Sequence, residues 1–154
     1  MARSNEGRKV VATNRRARRD YDILDTFECG IALTGSEVKS LRASQVQLKD
    51  AYAEVRGGEL WLENAHIAPY RFAREGGHDP DRSRKLLLHK REIDSLIGKV
   101  NERGLTLVPL SIYFTRGLAK AEVALAKGRR QYDKRQKLKE REQQREIERS
   151  RARR

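Results

Sequence analysis

Only the stretch from residue 20 to residue 127 can build a hydrophobic core, because the unbalanced charge of this 154-residue chain is confined to its two ends. Residues 128–154 carry 12 Lys/Arg against 5 Asp/Glu, and the first 19 residues carry 7 against 1. The 108 residues between them hold 16 of each and are neutral, so the ends bear the whole formal charge of +13. That middle is long enough for one domain with a modest core. The expected organisation is a basic N-terminal arm over 1–19, a folded body over 20–127 and a basic tail over 128–154. A neutral body with two basic arms suits a module that grips a polyanion, nucleic acid above all, better than an enzyme for small anions.

Cysteine usage and hydropathy narrow the class. With Cys29 alone, the chain can form neither an intramolecular disulfide nor a cysteine-based metal cage. No run approaches the ~20 apolar residues of a membrane span. The N-terminal MARSNEGRKVVATNRRARR lacks the apolar segment of a secretory signal, and Glu6 argues against a transit peptide. The chain reads as cytosolic.

From Tyr21 to Leu33, the residues Tyr21, Ile23, Phe27, Cys29, Ile31 and Leu33 share one parity, broken only by Asp25. This predicts a long half-buried strand, and Gly30 within it predicts a bulge or sharp bend. Thr34-Gly35-Ser36 ends the strand, with Ser36 the expected cap of a short helix that turns Val38 and Leu41 inward. Gly57-Gly58, between apolar stretches 51–56 and 59–65, is a hairpin signal. The segment from Pro69 to Arg84 reads as irregular, with Gly76-Gly77 and Asp79-Pro80 as breakers. Ile93, Leu96, Ile97 and Val100 predict a helix over 90–103, stopped at Gly104. Two further strands, 105–115 and 118–126, flank Arg116-Gly117, and Pro109 implies an edge or bulge. Antiparallel strands with an inserted helix and no βαβ alternation give a mainly β fold with helices. The expected architecture is a small antiparallel barrel of the oligonucleotide-binding (OB) type.

Nothing in the sequence assembles a reactive constellation. Phosphate loops of the Gly-x-Gly-x-x-Gly or P-loop kind are absent. His66, His78 and His89 lack zinc-helix spacing and read as surface or capping residues. Asp79 and Asp81 flank Pro80 in ordinary turn chemistry, and Cys29 reads as a small core residue on an apolar strand face. No catalysis, metal or cofactor is expected.

The basic clusters say more. Asn14-Arg15-Arg16-Ala17-Arg18-Arg19 precedes the first strand, Arg82-Ser83-Arg84-Lys85 precedes Leu86-Leu87-Leu88, and Lys127-Gly128-Arg129-Arg130 follows the last strand. Three clusters at strand margins can converge on one barrel rim and hold phosphates. Asn14, Arg15, Arg16, Arg84, Lys85, Lys127, Arg129 and Arg130 are therefore candidate RNA contacts, against the alternative of scattered solubilising charge. Beyond Tyr132 the clearly apolar residues are Leu138 and Ile147, with Ala152 a weak third, so the tail cannot pack alone. Its Gln, Lys, Glu and Arg are good helix formers, and Glu142–Arg145, Glu146–Arg149 and Glu148–Arg151 pair at i, i+3. The expectation is a segment disordered when free that becomes helical along a polyanion, where it would reach roughly 40 Å.

The wording of the chain also resembles a known family. NRRARRDYDILDTFECGIAL, GSEVKSLR, DAY, GELWLENAHIAPY, DPDRSRKLLLHKREI, GLTLVPLSIYF and AKGRRQYDKR run collinear from Asn14 to Arg135. They resemble small protein B, the family that binds transfer-messenger RNA in bacterial trans-translation. The resemblance implies an OB-type barrel that binds the tRNA-like domain of that RNA and replaces the anticodon arm the RNA lacks. It implies a tail that probes the decoding centre and the empty mRNA channel of a stalled small ribosomal subunit, with elongation factor Tu met through the RNA. On matched positions it places RNA contacts at Glu28, Gly30, Leu87, His89, Lys120, Lys127 and Gly128. It places the decoding-centre motif at Tyr132, Asp133, Lys134 and Arg135, where a ring stacks on a ribosomal base. A glutamate suits an RNA site because carboxylates accept hydrogen bonds from base amino groups. Cys29 stands where the family usually has alanine, a neutral exchange, and Ser44 where a glycine is common, which bears on the turn there. After Arg135 only the basic character carries over. The rival readings are a resident ribosomal or general structured-RNA-binding protein, and an RNA-modifying enzyme, which would need the reactive constellation the sequence lacks.

Overall fold

The computed structural model describes residues 7–72, 77–102, 105–128 and 141–150. In chain order the body runs β1 (Arg8–Thr13), α1 (Arg15–Asp20), β2 (Tyr21–Ile31), α2 (Gly35–Arg42), β3 (Val46–Gln47) and β4 (Tyr52–Arg56). It continues through β5 (Glu59–Glu63), β6 (His66–Ile67), β7 (Arg84–Leu87), α3 (Lys90–Glu102), β8 (Thr106–Thr115) and β9 (Leu118–Gly128). Seven strands form one antiparallel sheet in the order β1-β8-β4-β5-β7-β2-β9, and β8 pairs again with β9, so the sheet curls back on itself. The single pair Ala53↔Leu107 joins β4 to β8, which leaves the barrel partly open. β3 and β6 make a separate two-stranded ladder. This is the mainly β, OB-like barrel expected.

Both expected hairpins form. Gly57 and Gly58 take φ of 61° and 76°, as a two-residue turn of this hand requires. The bend in β2 is displaced from its expected place. Its register slips between Ile23 and Asp25, whereas Gly30 stays in register between Leu87 and Lys120. Gly30 serves a close approach instead, since a Cβ there would lie 3.3 Å from the Leu87 Cβ. The slip at Leu24 reverses the facing of the strand. Phe27, Cys29 and Ile31 therefore enter the barrel core, while Tyr21 and Ile23, of the same parity, join a second cluster outside it. A matching slip in β8, between Pro109 and Ser111, sends Ile112 and Phe114 inward and leaves Val108 and Leu110 outside.

The outside cluster needs a cover, and α1 supplies it: Ala17, 1% exposed, packs with Val108, Leu110, Ala124 and Ala126. The N-terminal segment is therefore not a free arm from Arg8 onward. β1 pairs along β8 and contributes Val11 to the core. The sequence hid this because only Val11, Asn14 and Ala17 are buried among residues 8–20, too few to make a periodic pattern. α3 lays Ile93 and Leu96 on the barrel and ends at Glu102; Gly104 lies outside the described residues. Cys29 is fully buried, and burial pushes its thiol up to about 12.

α2 is capped by Thr34, not by Ser36: the Thr34 hydroxyl accepts from the Glu37 amide and the Glu37 carboxylate accepts from the Thr34 amide (2.9 Å). The helix ends with Ser44 donating to Leu41 O and Gln45 donating to Ser40 O, the paired bonds of a Schellman stop. Ser44 itself sits at φ 57°, where a Cβ is disfavoured. Ser44→Gly should therefore raise stability by roughly 1 kcal/mol, read as a higher urea midpoint at unchanged slope.

In the tail, residues 141–150 are helical with every residue exposed. Arg129, Arg130 and the expected decoding-centre motif Tyr132–Arg135 lie outside the described residues, so the expected disorder of the free tail stays an expectation. Among the described residues no helix is long and apolar enough to cross a membrane, and no group of three or more His, Cys, Asp or Glu is placed to hold a metal ion.

Candidate nucleic-acid interface

α1 covers only one half of the outer face of the sheet. On the uncovered half, directly opposed residues make a row across five strands: Val10, Tyr113, Lys120, Gly30 and Leu87. Opposed residues in antiparallel strands share a face, so the whole row lies on the outer side of the sheet, where Tyr113 is 1% exposed beneath Arg8. Leu87 is 50% exposed, Val10 55% and Leu118, two residues before Lys120, 61%. A half-buried lysine beside a glycine with no side chain, with the exposed Leu118 and Leu87 nearby, is a surface on which sugars and bases can lie. His89, exposed, follows two residues after Leu87 and offers its carbonyl to the amides of Glu92 and Ile93 at the start of α3. Glu28, Gly30, Leu87, His89 and Lys120 therefore gather at one end of the barrel. Val10 and Leu118 were not among the candidates read from the sequence: the facing of Val10 is set only when β1 joins β8, and that of Leu118 by the β8–β9 hairpin.

Glu28 is exposed yet already engaged. Its Oε2 accepts from Arg8 (3.3 Å) and from the Tyr113 hydroxyl, and the Arg8 guanidinium lies 4.3 Å from the centre of the Tyr113 ring. Burial, then the adjacent Glu28 carboxylate, push the Tyr113 phenol above its ordinary range. These contacts also relieve the like charge of Glu122, which stands directly opposite Glu28.

The three basic clusters do not meet on one rim. Arg15, Arg16, Arg18 and Arg19 are exposed on α1, which leads into Tyr21, and Tyr21 pairs with Gly128 and Asp22 with Lys127. These two clusters do converge. The adjoining cleft is lined by Arg16, Tyr21, Lys49 and Tyr52, and also by the carboxylates of Asp20 and Asp50. Arg82–Lys85 instead sits near Gly30, about 30 Å away along β2 at ~3.3 Å per residue.

Two candidate RNA contacts are corrected outright. Asn14, 7% exposed, caps α1: its Oδ1 accepts from the Ala17 amide (3.2 Å) and its Nδ2 donates to Pro109 O (3.0 Å). Arg84 is 0% exposed and donates to Glu37 (2.6 Å) and to the carbonyls of Ala65, Asp79 and Pro80. A guanidinium so enclosed cannot reach a phosphate. Arg82 also donates to both Glu37 oxygens, and Lys85 pairs with Glu59 at 2.9 Å on the outer face.

Glu37 is the centre of this internal network, and the sequence reading passed it over. Burial alone would raise its carboxyl, but bonds from Arg82, the Thr34 amide and Arg84 outweigh burial and hold it at about 2. His78 adds a strut, its Nδ1 bonded to the Ser36 hydroxyl (2.8 Å) and its Nε2 to Ile67 O (2.9 Å). His66 pairs with Asp81 at 2.9 Å. The signal was present as an i, i+3 Thr–Glu capping box, but nothing local says that two arginines 45 and 47 residues later will close on it.

The family model described as SmpB protein matches residues 11–153. A relative from Acidothermus cellulolyticus, described as SsrA-binding protein, is 59% identical over 147 residues, covering 96% of this chain and 92% of its own. Relatives of the same description from a Sulfurihydrogenibium species and from Nostoc punctiforme are 58% and 54% identical, covering 93% and 97% of their own lengths. A solved structure described as tmRNA-SmpB, a journey to the center of the bacterial ribosome, superposes with a TM-score of 0.64 at 57% identity, covering 76% of this chain and 82% of that one. With the matched span running from β1 through the tail, the chain belongs to the SmpB family of SsrA-binding proteins.

Proposed function

We infer that this protein binds transfer-messenger RNA through its barrel and acts with that RNA on the ribosome as a rescue adapter. The observation that carries the reading is the uncovered half of the outer face, where Lys120, Gly30 and Leu87 align across three strands in a chain whose relatives are SsrA-binding proteins. Lys120 would meet phosphate, Gly30 would let the backbone approach, and Leu87 would support a sugar or base. Both bonds to Glu28 fall on Oε2, so its second oxygen is the one to accept from a base amino group. Arg15, Arg16, Lys127 and Gly128 would extend the grip along the tRNA-like domain, with Arg129 and Arg130 beyond them. The tail from Tyr132 to Arg135 onward would occupy the decoding centre and the mRNA channel, and the site of action would be the cytoplasm. The action is binding, without a catalytic step.

Lys120→Gln and His89→Ala should each weaken binding of the tRNA-like domain by about 1–3 kcal/mol, with Lys120→Gln also lowering the salt slope by about 1. A gel-shift titration over several salt concentrations measures both, and unchanged affinity in both variants would remove the interface. Glu28→Ala is a poorer probe, since orphaning the Tyr113 hydroxyl costs about 1–3 kcal/mol of fold stability. Glu28→Gln keeps an acceptor and tests the RNA contact more cleanly.

A further inference from the structure

We propose that Tyr70 and Phe72 form a second RNA contact, a stacking platform for one unpaired nucleobase whose phosphate meets Lys39 and Arg71. This deepens the RNA-binding reading and rests on it. Phe72 is 74% exposed, so its phenyl ring goes without the burial that such a side chain ordinarily gains. It is held against Tyr70 with ring centres 5.8 Å apart and planes at 70°. An edge-to-face pair fixes the rings while leaving a ring face open to a third partner. Lys39 Nζ stands 5.3 Å from the centre of the Tyr70 ring, and Arg71 between the two aromatics is exposed.

The segment is anchored. The Ser40 hydroxyl on α2 donates to Ala68 O at 2.7 Å, which ties the residues leaving β6 to the helix that carries Lys39. Glu37, on that helix, is buried and already paired, so it does not neutralise these cations. Among the described residues neither Lys39 nor Arg71 has an ion-pair partner, and rings flanked by such cations recognise a π-face joined to an anion, which is a nucleotide, whereas an apolar peptide would call for apolar neighbours. A base within a duplex has both faces stacked, so the occupant is an unpaired one. α2 begins four residues after Ile31, at the barrel end that holds Gly30 and Leu87, so one RNA can reach both contacts.

The test titrates fluorescein-labelled oligoadenylate of eight residues, and the labelled tRNA-like domain, with wild-type protein and with Phe72→Ala, Phe72→Leu and Phe72→Trp. Phe72 is exposed, so all three variants should fold. Phe72→Ala and Phe72→Leu should weaken oligoadenylate binding roughly tenfold or more, and Phe72→Trp should hold or strengthen it. Leucine at wild-type affinity would mean a plain apolar contact and overturn the stacking platform, as would unchanged affinity in Phe72→Ala. Wild-type protein that bound neither RNA would overturn the RNA-binding reading and the platform together; wild-type binding that ignores position 72 overturns the platform alone.

Discussion

Truncation after Gly128 should leave binding to the tRNA-like domain near wild type and abolish peptide tagging on stalled ribosomes. Electrostatics makes the outcome a sharp one. The removed residues hold +7 of the net +13, so a nonspecific polyanion binder would lose much of its affinity and most of its salt dependence. A binder that relies on the aligned Lys120, Gly30 and Leu87 keeps the contacts that matter, because all three lie within the barrel. The helix at 141–150 exposes all its residues, so removing it opens no core. Replacing Asp133, Lys134 and Arg135 together should give the same division: RNA binding retained, tagging lost. Both activities are measured on one truncated preparation. A parallel fall in the two would reduce the tail to a charged anchor and end the decoding-centre reading.

Glu37→Ala should cost about 3–5 kcal/mol of fold stability, the range for breaking a buried ion pair by removing one partner. Arg84 would be left charged and 0% exposed, with its remaining bonds going only to carbonyls. The network ties the start of α2 to β7 and to the turn at Asp79–Pro80, so its loss should also loosen the strand that carries Leu87. Urea unfolding measures the first effect, and amide exchange across residues 84–87 the second. The double variant Glu37→Gln with Arg84→Met should recover part of the loss, because no buried charge is then unpaired. The pH dependence has a definite sign. The native carboxyl titrates at about 2 against an ordinary value of 4.5, so its contribution is complete above 4.5 and disappears as pH falls from there to 2. Glu37→Gln should lack that component of acid unfolding.

What the sequence determined by itself was local. Alternation from Tyr21 to Leu33, the Gly57-Gly58 and Arg116-Gly117 turns and the helix from Lys90 each depend on neighbours a few residues apart, and each formed within a residue or two of its expected place. The confinement of net charge to the ends, and the motifs shared with the family, were legible for the same reason. What only the tertiary structure decided was which face each residue took and which charge met which. The slip at Leu24 sends Ile23 and Phe27 to opposite sides of one sheet, although alternation alone puts them on one side. Arg84 and Lys85 are adjacent in a basic run, yet one is fully enclosed and the other lies on the surface. A buried guanidinium is stable only where a carboxylate and several carbonyls surround it, and Glu37, Ala65, Asp79 and Pro80 reach it from three separate segments. Long-range closure of that kind leaves no periodicity to read. It arises only when the sheet has curled and brought those segments together.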